Sequence, residues 1–351
     1  MTTTVAGRSS SPLRTVLPYV GLLVALLVLV QLPILRGYNT YLGALVLIYA
    51  IAALGLNIAL GFVRLLHVAT AGIMGVSAYT IAILLDNGVT FPLAMAAGVV
   101  LATLVGGLIG VLAARVRSHY FLIVTIGVQQ AIITVIQQWT SVTGGALGLR
   151  LQPITVAGFD LSLRPNVFML ASVCFVVGLY AAQRLRHSRP GRAMVALGQS
   201  ETAAQSLGIS EPKYNVLAMG ISGLYAGVAG ALFVPLVLFI APESFAIHLS
   251  ILLIAMVVIG GLGSNVGVVF GVVLLSLIDE QTGSLSGGVA TLLYGLVIMV
   301  LVVVAPGGLA KVGRRVGARF RTTRRPPPAE PAPVAHSASE PEDLTRKAVA
   351  P

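Results

Sequence analysis

Apolar residues run along this chain in stretches of about twenty, and the polar residues between them are few and clustered. Ten stretches can be read: about 16–34, 38–60, 69–85, 91–114, 118–138, 165–183, 214–240, 246–259, 266–280 and 287–305. A stretch of that length crosses a hydrocarbon core roughly 30 Å thick. The pattern therefore predicts an all-α, polytopic membrane bundle of about ten transmembrane segments. The first stretch follows Arg8 and Arg14, exceeds a signal-peptide core in length, and has no small-residue cleavage site after it, so it reads as a retained span. From Ser250 to Ile278 the apolar run is interrupted by "GGLGSNVG", Gly260 to Gly267. This reads first as a tight cytoplasmic turn, because the next run is long enough to span again. Otherwise it is a break within one long helix, tolerated at membrane depth only when buried in protein or lining water.

Composition and charge sharpen this picture. Of the 351 residues 57% are hydrophobic and 9% charged, with a mean hydropathy of +0.96. The net charge of +11 is explained by its distribution. With the N-terminus inside and ten spans, the inner segments hold 19 of the 22 Lys and Arg, and only Arg36, Arg150 and Arg164 fall outside. This is the positive-inside pattern, and it places both termini in the cytoplasm. The basic excess is thus a topology signal with some attraction to anionic lipid, and it does not call for nucleic acid. The division is a cytoplasmic segment 1–15, a transmembrane domain 16–310 with a cytoplasmic loop at 184–213, and a basic, then Pro-rich tail 311–351. The tail's "RRPPPAEPAPVAHSASEPEDL" lacks an apolar period and predicts disorder from about 326. Dividing the ten spans into two sets of five would give two halves of opposite orientation, a 5 + 5 inverted arrangement.

Reactive chemistry is sparse. No "GxxxxGK[ST]" phosphate loop occurs, no "GxSxG" or Ser/His/Asp arrangement appears, and the histidines at 67, 119, 187, 248 and 336 are too scattered for a metal site. The lone Cys174 excludes a disulfide framework and reads as a packing residue. All eleven acids lie in loops, span ends or the tail. Proton- and sodium-coupled carriers place ionisable groups at mid-membrane; if this chain moves a solute, a partner supplies the energy. Two small-residue stripes, Gly98/Ala102/Gly106/Gly110 and Gly223/Gly227/Ala231, predict close helix packing.

Several polar features stand apart. In "GRAMVALGQSETAAQSLGIS" (191–210) Ser200 caps a helix of seven residues at most, Glu201 suits its positive end, and Gly208 stops it. Ala203, Ala204 and Leu207 form a small apolar patch. So short a helix needs a surface to rest on, either this protein's own membrane domain or a partner. Arg192 reads as a rim charge or a lipid-phosphate contact. His67, Thr70 and Tyr79 follow the second span and read either as interfacial anchors or as pathway lining. Gln129, Gln130, Gln137 and Gln138 are unusual inside a span, and either line a polar path or join helices. "TGG" at Thr143 to Gly145 predicts a flexible outer loop, a candidate docking point for an external protein.

"GLNIALGFVRLLHVATAGIMGVSAY" (55–79), "HYFLIVTIGVQQAI" (119–132), "TGGALGL" (143–149), the 191–210 segment and "LLIAMVVIGGLGSNVGVVFGVVLL" (252–275) occur in one order. Together they resemble the M-type permease subunit of branched-chain amino-acid ABC importers, over roughly residues 38 to 310. Urea-type and amide-type permeases look similar. The resemblance implies a prokaryotic plasma-membrane importer subunit without enzymatic activity. It also implies a homologous second permease, two P-loop ATPases that bind ATP and Mg, and an extracytoplasmic solute-binding protein; this chain itself binds no cofactor. Gly191, Arg192, Ser200, Glu201, Ala203, Ala204, Leu207 and Gly208 would form the coupling element that meets an ATPase. His67, Thr70, Tyr79, Thr125, Gln129 and Gln130 would lie along the solute pathway. Two places differ from the family's usual pattern: Leu66 precedes His67 where glycine is common, and Gly198, Gln199 and Ser200 precede Glu201 where an arginine, an acid and an asparagine are common.

Overall fold

A computed structural model of the protein describes residues 12–31, 38–116, 118–156 and 158–283. The expected span at 287–305 and the tail 311–351 lie outside the described residues. Each of the other nine stretches falls on a helix, and three further helices (α6, α8 and α9) lie between them; in chain order these are α1 (Pro12–Gln31), α2 (Tyr38–Asn57), α3 (Thr70–Asp86), α4 (Phe91–Ala113), α5 (Ser118–Gln138), a single turn α6 (Thr140–Thr143), α7 (Arg164–His187), α8 (Arg189–Gln199), α9 (Glu201–Ser206), α10 (Glu211–Val237), α11 (Ile247–Gly260) and α12 (Asn265–Gly283). In hydrocarbon a backbone must satisfy its own polar groups, which helices do. Among the described residues, six helices are long and apolar enough to cross a membrane, and α3 is a shorter apolar helix. Proline in the first turn, where its missing N–H costs nothing, marks the starts of α4, α7, α8 and α10 (Pro92, Pro165, Pro190, Pro212).

The core is built around α2 and α10, with α3, α4, α7 and α11 packed about them. The two small-residue stripes face one another. A Cβ on Gly106 would lie 2.6 Å from the Met219 carbonyl, one on Gly223 2.6 Å from that of Ala102, and one on Gly110 2.7 Å from Val216 Cα. These pairs run in opposite directions along the chain, so α4 and α10 are antiparallel at backbone contact distance.

The interruption at 260–267 is a turn between two helices. Gly261 and Gly263 have φ of +110° and +75°, a region that glycine alone enters without strain. Gly260 and Gly271 pack against Val268 and Met256 respectively, so α11 and α12 fold back on each other.

Helix alternation collects Arg64, Arg115, Arg184, Arg186, Arg189, Arg192 and Lys213 at one end of the bundle, here termed the basic end. The opposite end carries two small antiparallel ladders absent from the all-α expectation: β1 (Leu149–Arg150) with β4 (Phe239–Ile240), and β2 (Thr155–Val156) with β3 (Phe159–Asp160). The "TGG" region expected to be a flexible loop is instead hydrogen-bonded structure. Thr143 Oγ1 donates to the Ile136 carbonyl at 2.6 Å, and β1 follows directly. Two-residue strands leave no alternating pattern to read in a sequence.

Candidate functional site

From the basic end the second span does not connect cleanly to the third. α2 continues as a π-helical segment, Ile58–Val63, which ends at Arg64 in the left-handed conformation (φ +64°). Leu65 and His67 to Ala69 are buried, with Leu66 exposed between them, and α3 starts at Thr70 with no side-chain cap of its own. A helix start leaves free N–H groups, and none can be left bare in a dry interior. Side chains from other helices meet them. Thr125 Oγ1 accepts from Val68 N at 3.2 Å, Ser250 Oγ from Ala71 N at 2.9 Å, and Gln129 Oε1 from Gly72 N at 2.6 Å. The Gln129 amide also donates to the Phe245 carbonyl at 2.8 Å. Gln129 is therefore a tie between α3 and the segment that precedes α11.

His67 and Thr70 belong to this cluster and are fully buried, so neither is a surface anchor. His67 Nε2 lies 3.5 Å from Ser222 Oγ of α10, while His67 Nδ1 and Thr70 Oγ1 have no hydrogen-bond partner. Tyr79 is also buried but stands apart: its hydroxyl donates to the Ile240 carbonyl at 3.3 Å and its ring meets Phe245 edge-on. Gln130 lies about 100° further round α5 and is exposed. Of the six residues expected along a pathway, His67, Thr70, Thr125 and Gln129 thus converge, and Tyr79 and Gln130 do not join them. Ser222 and Ser250 are added. A lone hydroxyl inside an apolar span was their only signal, and it is weak because serine is also an ordinary small packing residue.

At the basic end, the 184–213 segment holds two helices where the sequence signalled one. Ser188 Oγ caps α8 by accepting from Gly191 N at 3.2 Å, and Met194 and Leu197 are buried beneath it. Gly191 and Gly198 leave no room for a side chain: a Cβ on either would strike the carbonyl of Leu185 or of Phe62. α8 therefore lies directly on the π-helical segment. Arg192 Nη1 donates to the His187 carbonyl at 2.6 Å, closing the end of α7. α9 follows as a six-residue helix. Ser200 Oγ accepts from Ala203 N at 3.3 Å, Glu201 sits in the first turn, and Gly208 at φ +79° ends the turn. The expected three-residue patch divides. Ala204 is buried against the chain itself, whereas Ala203 is exposed and Leu207 is 80% exposed.

Beneath α8 a polar network joins three spans. Asn57 Nδ2 donates to Asn265 Oδ1 at 2.9 Å, Gly263 N donates to Asn57 Oδ1 at 2.8 Å, Asn265 Nδ2 donates to Gln183 Oε1 at 3.3 Å, and Arg186 donates to the Gly263 carbonyl. It fastens α2, α7 and α12 to the 261–264 turn.

Comparison with known proteins fits this architecture. A family model described as the permease component of branched-chain amino acid transport systems matches residues 40–306. The high-affinity branched-chain amino acid transport system permease protein LivM of Escherichia coli is 31% identical over 307 residues, covering 80% of this chain and 72% of that protein. Its counterpart in Salmonella typhimurium is 29% identical over 286 residues, 74% and 67% of the two chains. The autoinducer 2 import system permease protein LsrC of Escherichia coli is 26% identical over 273 residues, 73% and 78%. No solved structure matches the chain.

Proposed function

This chain belongs to the family of permease components of branched-chain amino acid transport systems, multi-pass inner-membrane proteins, and we propose that it is one half of an ATP-driven importer for branched-chain or related small amino acids. In this reading the basic end faces the cytoplasm, and a homologous permease completes the pathway. Two ATPase subunits that bind ATP and Mg dock against α9, and an external binding protein delivers the solute to the opposite end.

The observation that carries the reading is the continuous run of structure from α9 to the break before α3. Leu207 offers an apolar side chain that nothing in the described chain covers. α8, joined to α9, rests through Gly198 on Phe62 and Val63. Only the turn at Arg64 separates those residues from His67 and Thr70. A pull on α9 would reach the start of α3 through solid contacts. His67 Nδ1 and Thr70 Oγ1, unpartnered in this state, would find hydrogen-bond partners in another. Such a two-state element is what alternating access requires. The likeness to an autoinducer 2 import permease favours, as the second reading, a different small polar solute on the same machinery.

The test is uptake of labelled leucine, valine, urea and a sugar-derived solute into vesicles holding this chain with the ATPase, permease and binding protein encoded beside it. ATP-dependent leucine uptake is the expected result. Uptake that needs no ATP, or that follows a proton or sodium gradient, overturns the reading.

A further inference from the structure

The outer side of α5 changes character along its length: Tyr120, Ile123 and Ile126 are exposed and apolar over its first half, whereas from Gly127 onward polar positions enter, with Val135 the large apolar residue exposed among them. Gly127, Gln130, Thr134 and Gln138 are all exposed and follow one another at steps of three or four residues, so they form one stripe along the helix. α5 has 21 residues, about 31 Å at 1.5 Å per residue. Gln130 falls just past its midpoint and Thr134 one turn beyond. No hydrogen bond to another described residue satisfies the side chains of Gln130, Thr134 or Gln138. On α4 the open side carries Leu93, Val100, Leu101, Leu104, Leu108 and Val111, as a lipid-facing side should. A primary amide has two donors and an acceptor oxygen, and hydrocarbon offers them nothing. Membrane helices turn such groups toward protein or water.

We propose that the Gly127–Gln130–Thr134–Gln138 stripe is a wall of the aqueous passage through which the solute moves. This rests on the transport reading above and gives α5 two distinct sides: Gln129 holds the bundle together, and Gln130, one residue on, faces the path. Gly127 has open space where a side chain would be, leaving a notch one turn below the Gln130 amide. An amide that both donates and accepts suits the paired charges of a zwitterion better than an ion of one sign.

The chain's single cysteine makes the test direct. In a Cys174→Ser background, cysteines are placed one at a time at Gly127, Gln130 and Thr134, with Leu104→Cys and Leu108→Cys as lipid-facing controls. Membrane vesicles holding the full transporter are treated with a water-soluble, cationic methanethiosulfonate, and labelling is followed by mass. Only a hydrated thiol ionises readily to the reactive thiolate, so the stripe positions are expected to react about tenfold faster than the controls or more. Stripe positions that react as slowly as Leu104→Cys would mean that lipid or dry protein covers α5, and the inference fails. Uptake in the same vesicles separates the two claims. Slow labelling with ATP-driven uptake intact rejects this inference alone; fast labelling without uptake rejects the transport reading and leaves the stripe facing water.

Discussion

Gln129 and Gln130 are adjacent and chemically identical, yet they face different surroundings. Gln129 is buried and satisfies two backbone groups, Gly72 N and the Phe245 carbonyl. Replacing it with leucine strands both, and a stranded buried group costs about 1–3 kcal/mol. Gln129→Leu is therefore expected to destabilise the protein by about 2–4 kcal/mol, read as a lowered thermal midpoint in detergent. Gln130→Leu touches no internal partner and is expected to stay within about 0.5 kcal/mol of the parent while lowering uptake. Equal thermal shifts for the two would contradict the assignment of sides. The sequence marked both residues as unusual but could not tell them apart. The phase of α5 is set by where α3 breaks, and that break depends on contacts 57 and 179 positions away along the chain.

Among the elements, the spans were the most legible part of the sequence, because length and apolarity are local properties. The stripes on α4 and α10 were legible one at a time, and their pairing emerged only in three dimensions. Gly106→Leu would force apart backbones that now sit within 2.6 Å of a would-be Cβ, an overpacking cost of about 3 kcal/mol or more. Gly107→Leu, with nothing within 4 Å, is expected to be tolerated; yields of folded protein after membrane extraction compare the two. α8 went unread because its Ser188 and Pro190 start follows α7 without a gap, so no polar interval announces a new helix. α9 was read correctly from its cap and stop. Its exposed Leu207 supports the expectation that Leu207→Asp leaves membrane insertion intact but lowers ATP-driven uptake about tenfold or more, as loss of a central apolar contact does. Unchanged uptake would remove α9 from the ATPase contact.

At the scale of the whole molecule, the basic end and the centre are joined by polar bonds as well as by packing. Asn57 holds the 261–264 turn and Asn265 while its own helix carries the segment on which α8 lies. Asn57→Leu is expected to cost about 2–4 kcal/mol by leaving Gly263 N and Asn265 unmatched. It should also raise the ATP hydrolysed per solute moved, since α8 would then shift without carrying α7 and α12 with it. An unchanged ratio would confine the network to a structural role. Of this network the sequence marked only the 260–267 interruption that holds Gly263 and Asn265, and it said nothing of their partners. Asparagines near span ends are common, and only the fold brings positions 57, 183, 263 and 265 together.

The borrowed caps at the start of α3 also constrain how the protein is made. While α3 leaves the ribosome its first N–H groups have no acceptors. Gln129 is synthesised 57 residues after Gly72, and Ser250 179 residues after Ala71. These N–H groups therefore meet their first partners only when α5 arrives, and the finished contact waits for α11. In a Cys174→Ser background, a ribosome-bound chain carrying Thr70→Cys and halted after α4 is expected to react with a water-soluble thiol reagent, and one halted after α11 to be protected from it. On this account the order of synthesis is part of the fold: the centre of the protein closes last.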